Sequence, residues 1–196
     1  MKFNRYLEKI LGSKVKIGIV RTLLKHPARV YSGRELSRQI KGISHMAVFK
    51  SIKDLIDYNL VNVEHHGGVQ LIKLNKKSYL YKPLKSLFYC EERSRNKLIL
   101  YIKKLFEKNK EIEAIVLFGS IAKGIEKVDS DIDLLILARN KEKVNETIAE
   151  NQKKIVDKFG NIFSAMILNR KEYKEKGQLE VIKNIKKEGI LVFGKL

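Results

Sequence analysis

Two apolar runs, Ala114 to Phe118 and Ile132 to Ala138, are joined by a segment that turns at Gly119-Ser120 and closes on Asp131-Ile132-Asp133. Runs of this length and apolar content read as strands, and the Gly-Ser pair marks a sharp exit from the first one. Side chains alternate along a strand, so Asp131 and Asp133 project from one face, where two carboxylates can share a divalent cation. A helix beginning at the Gly119-Ser120 turn presents free amides and the positive end of its dipole, and Gly119 lets an anion approach the backbone closely. A small sheet with carboxylates beside an anion cradle follows from this segment alone.

The alternation continues beyond it. A helix is expected near Lys143 to Phe159, a strand over Ile162 to Leu168, a helix near Leu179 to Glu188 and a strand over Ile190 to Phe193, which makes residues 111–196 a small α/β domain. The stretch from Leu117 to Ile136, with Phe118-Gly119-Ser120, its spacer and Asp131-Ile132-Asp133, closely resembles the signature of the polymerase-β-like nucleotidyltransferases, especially the minimal ones. The resemblance implies a mixed sheet, catalytic Asp131 and Asp133 holding Mg²⁺ or Mn²⁺, and a nucleoside triphosphate held by Gly119, Ser120 and Lys123. Active relatives also supply a third Asp or Glu from a later strand, as metal ligand and base. The matching run, Ile162 to Leu168, holds no carboxylate, and Glu172 and Glu180 are the neighbouring candidates to replace it.

The front of the chain has a different rhythm. Val15, Ile19, Val20, Leu23 and Leu24 recur at helical spacing until His26-Pro27 stops them, and Ser32-Gly33-Arg34-Glu35 has the spacing of a capping box opening a second helix to about Ile40. After Gly42, Ser44 caps a third helix with an apolar stripe of Val48, Ile52, Leu55 and Ile56. Two β-prone runs, Leu60 to Glu64 and Val69 to Leu74, flank His65-His66-Gly67-Gly68, a hairpin signal with an exposed polar tip. The segment Gly42 to Leu55, with Tyr58-Asn59-Leu60-Val61 after it, resembles the turn, recognition helix and wing entry of MarR- and ArsR-like winged helix-turn-helix regulators. That resemblance implies duplex DNA as partner, with Ser44, His45, Phe49, Lys50 and Lys53 facing a major groove and Arg34, Arg38 and Lys73 facing phosphates. Between the modules, Leu84 to Glu107 keeps helical spacing and reads as one long connecting helix, giving a division into 1–80, 81–110 and 111–196 and an α+β fold overall.

Charge supports a polyanionic partner. The 41 Lys and Arg against 22 Asp and Glu leave +19, and residues 1–80 carry 16 basic and 5 acidic side chains. The lone Cys90 forms no internal disulfide and no cysteine cluster offers metal-ligand spacing, so a reducing, cytoplasmic setting is expected. No apolar run is long enough to span a bilayer, and the start of the chain reads as a short, charge-interrupted helix pattern rather than a signal peptide. Three readings follow: a DNA-binding regulator with a nucleotide-binding rear domain, an active nucleotidyltransferase docked through its front module, or a catalytically silent scaffold. A homodimer is expected from the paired half-sites such regulators read and from self-pairing of the long helix.

Overall fold

The computed structural model describes residues 12–196, so the helix pattern expected at the start of the chain lies outside them. The described chain divides into two compact units, 12–91 and 92–196.

In the first unit, α1 (Lys14–Lys25) starts where the Ser13 hydroxyl accepts from the Lys16 amide at 3.3 Å. After strand β1 (Tyr31–Ser32), helix α2 (Gly33–Gln39) opens on a capping box: the Ser32 hydroxyl accepts from the Glu35 amide at 3.2 Å, and the Glu35 carboxylate accepts from the Ser32 amide at 2.7 Å. Ser44 caps α3 (His45–Asp57) by accepting from the Ala47 amide. These helices bury Ile19, Leu23, Leu36, Val48 and Ile52 against Ile72 of a three-stranded sheet. Its order is β1-β3-β2, with β2 (Val61–His66) antiparallel to β3 (Val69–Leu74) and Tyr31 paired with Ile72.

The hairpin turn is shorter than the four residues expected. His65 and His66 belong to β2, and only Gly67 and Gly68 turn the chain, at φ +53° and +78°. Two positive φ values in succession make the two-residue turn whose twist matches the strands, and glycine adopts them without steric cost.

The long connecting helix is not continuous. Helix α4 (Tyr81–Glu92) and helix α5 (Ser94–Phe106) are separated at Arg93, whose φ −97° and ψ 3° leave the α-helical basin. Each half is committed to a different core. Leu84, Leu87 and Phe88 pack with the first unit, where buried Glu91 also takes the Arg21 guanidinium at 3.0 and 3.2 Å. Leu98, Ile102 and Phe106 pack with the second.

The second unit is built on a mixed sheet ordered β6-β5-β4-β7. Strand β4 (Ile112–Leu117) is antiparallel to β5 (Ile132–Ala138) and to β7 (Ile190–Gly194), whereas β5 runs parallel to β6 (Phe163–Leu168). Short helix α6 (Gly119–Lys123) follows β4, and α7 (Lys141–Phe159) connects β5 to β6. On one face Ile132, Leu134 and Ile136 meet α5 and α7. On the other, Leu135 and Leu137 meet Tyr173 of α8 (Arg170–Glu175) and Ile182 and Ile185 of α9 (Glu180–Glu188). Alternation places Asp133 on that second face. No helix among the described residues is long and apolar enough to cross a membrane.

Replacing Ser32 by Ala removes the acceptor for the Glu35 amide and one arm of the capping box. Urea denaturation is expected to show a loss of about 1 kcal/mol, with an unchanged denaturant slope.

Candidate functional site

The Gly-Ser exit and the aspartates are brought together by β4 and β5. The Phe118 amide donates to the Asp133 carbonyl at 3.0 Å, which fixes the end of β4 against the start of β5. Gly119 then turns the chain at φ +72°, in the left-handed region, and a Cβ built on it would stand 2.9 Å from Asp133 Cγ. The open flank of this glycine is therefore occupied by the Asp133 carboxylate. Asp131 lies exposed just before β5. Burial pushes the Asp133 carboxyl above its ordinary range, the nearby negative charge of Asp131 adds to the shift, and a hydrogen bond from Ser164 opposes it.

Ser164 lies on the strand that runs beside Asp133. Residues of β5 and β6 pair in parallel register, and Asp133 stands opposite Ser164. The neighbouring strand therefore offers a hydroxyl opposite Asp133, and no residue of Phe163–Leu168 carries a carboxylate. Glu172 does not supply one, because its carboxylate closes a capping box on Asn169 and pairs with Lys141 at 2.6 Å. That box lies past Leu168, at least about 13 Å along the strand from Ser164 at roughly 3.3 Å per residue. Among the described residues no group of three or more His, Cys, Asp or Glu side chains is gathered to hold a metal ion. Two carboxylates still suit Mg²⁺, which commonly takes one or two of them and fills its remaining positions with phosphate oxygens and water.

Lys123 is also near the turn, but its ammonium pairs with Glu188 of α9 at 2.7 Å. Beside this pair lies a cavity of about 380 Å³ bounded by Phe118, Gly119 and α9, and Glu180 contributes to its wall. Several supports of the site carried no sequence signal. Arg95 of α5 donates to the Ala122 carbonyl at 2.8 Å and ties down the last turn of α6, and the Asn161 amide donates to the Ser130 carbonyl at 2.8 Å and steadies the approach to Asp131. In the same loop Glu126 is buried with both carboxylate oxygens unbonded.

In the first unit Arg34, Arg38, His45, Phe49, Lys50 and Lys53 are all exposed, the last four on α3. Ser44 spends its hydroxyl on the cap of α3. Lys73 on β3 is paired across the hairpin with Glu64 of β2, so its charge is largely neutralised locally.

Residues 101–195 match the family model described as polymerase beta, nucleotidyltransferase. The second unit thus carries a nucleotidyltransferase-like domain. No curated protein matches the chain. Among solved structures, a toxin-antitoxin with AMP-PNP is 22% identical over 50% of this chain and 73% of its own, with a TM-score of 0.37. A mutant of the toxin-antitoxin MntA-HpeT is 19% identical over the same shares, at a TM-score of 0.36. The archaeal chromatin protein TrmBL2, described as showing a novel mode of DNA binding, is 9% identical over 93% of this chain and 73% of its own, at 0.31. Likeness this low carries no argument, and the domain assignment rests on the family match and the geometry.

The raised Asp133 carboxyl has a consequence for stability. The folded state holds this proton more tightly than the unfolded state, so the contribution is present below the ordinary value of 3.8 and is lost as pH rises through the folded-state value. Asp133→Asn is accordingly expected to raise the melting temperature of the metal-free protein at pH 7. Thermal scans from pH 7 down to pH 4 should show that advantage shrinking.

Proposed function

We propose that the protein is a DNA-binding regulator whose rear domain binds a nucleoside triphosphate together with Mg²⁺ or Mn²⁺. The observation that supports this most is the seating of the Asp133 carboxylate against the open flank of Gly119, beside Asp131. Such an arrangement sets hard oxygen ligands beside the Gly119-Ser120 backbone, where a cation held by them would bring phosphate oxygens near. When bound, the cation neutralises phosphate charge and orients the polyphosphate. Asp131 and Asp133 hold it, and Gly119 and Ser120 supply backbone beside the phosphates. Lys123 adds positive charge once it is shared between Glu188 and the ligand.

Turnover is the weaker part of this chemistry. Ser164 stands opposite Asp133, and a neutral hydroxyl supplies neither the third metal ligand nor the base that activates an attacking group. Binding of the nucleotide, with transfer slow or absent, is the function that the donor set supports. The front module, residues 1–80, is assigned duplex DNA because three helices lead into a glycine-tipped hairpin and α3 presents Lys50 and Lys53 to solvent. A cytoplasmic homodimer reading two half-sites fits this role, although the break at Arg93 removes self-pairing of a continuous helix as its basis.

Thermal-shift measurements with ATP, CTP, GTP or UTP plus Mg²⁺ test the rear domain. At about 100 times Kd a ligand adds about 2.7 kcal/mol, and the Asp131→Asn/Asp133→Asn variant is expected to lose that gain. Equal stabilisation of the variant would refute the assignment. For the front module, Lys50→Ala and Lys53→Ala should each weaken duplex binding and lower the slope of log affinity against log salt by about 1. Binding that keeps its wild-type salt slope in both variants would remove DNA from the proposal.

A further inference from the structure

We propose that the cavity between Phe118-Gly119 and α9 seats the nucleoside portion of the bound nucleotide and selects a base bearing an exocyclic amino group. This rests on the nucleotide reading of the Asp131 and Asp133 site and specifies its ligand. Glu180, Asn184 and Glu188 all line the cavity and follow one another at helical i, i+4, i+8 spacing. They therefore form one polar row on α9, with its ends about 12 Å apart at 1.5 Å rise per residue. Phe118, Val181 and Ile185 supply the apolar wall beside that row.

The charge of the row decides which part of a nucleotide it receives. Ionised carboxylates are acceptors only, and they repel a polyphosphate. Glu188 is already engaged by Lys123 at 2.7 Å, at the end nearest the Gly119 turn. Glu180 and Asn184 have no side-chain hydrogen bond or ion pair among the described residues. A flat ring carrying N–H donors suits such a cavity: its faces meet the apolar wall, and its amino group meets the acceptors of Glu180 and Asn184. Adenine, guanine and cytosine carry that group, whereas the one ring N–H of uracil available for such a bond lies between two carbonyl oxygens that a carboxylate repels.

The test is calorimetric titration of the full chain with Mg²⁺ complexes of ATP, GTP, CTP and UTP, alongside inorganic tripolyphosphate. At least one amino-bearing nucleotide is expected to bind about tenfold or more tightly than UTP. Glu180→Ala and Asn184→Ala should each narrow that ratio and leave tripolyphosphate binding unchanged. Both side chains are exposed, so neither truncation opens the core, and ligand-free melting curves serve as the folding control. Nucleotide binding that is abolished by Asp131→Asn but keeps its base preference in both α9 variants would overturn the cavity assignment alone. An absence of Mg²⁺-dependent binding to any nucleotide would overturn it together with the reading beneath it.

Discussion

The second unit depends on a side chain that is absent. Gly119 leaves β4 at a positive φ, and the volume a Cβ would fill belongs to Asp133. This contact couples backbone geometry to electrostatics, because the turn favours glycine and its backbone helps to cover the carboxylate. Asp131 adds a second negative charge, leaving two like charges in mutual repulsion. A Cβ at position 119 would displace the acid and strain the turn together, so one atom disturbs both.

Much of this was legible in the residues. The strand limits of β5, the capping box at Ser32 and Glu35 and the aspartate spacing rest on local rules, and the structure agrees with each. Other features depend on partners distant in the chain. The two-residue β1 is too short to alternate and exists because Ile72 offers a pairing edge to Tyr31. The apolar phase from Leu84 through Phe88 runs on to Leu98 and Ile102, so periodicity holds no stop at Arg93, and only commitment to separate cores breaks the helix. Likewise, Lys123 and Lys73 read as available cations until Glu188 and Glu64 are placed beside them.

Charge is distributed with more discrimination than the total of +19 suggests. Several acids are committed to basic partners: Glu113 takes both Arg139 and Arg170, Glu91 takes Arg21 and Glu172 takes Lys141. Among the described residues Asp131 and Asp133 form no ion pair, and neither does Glu180 in the wall of the neighbouring cavity.

Ser164 gives the fold a particular standing among domains of its shape. The strand, its parallel register and its position opposite Asp133 are all in place, and the side chain is exposed. A carboxylate introduced at position 164 would face Asp133 across the same register, without rebuilding the sheet.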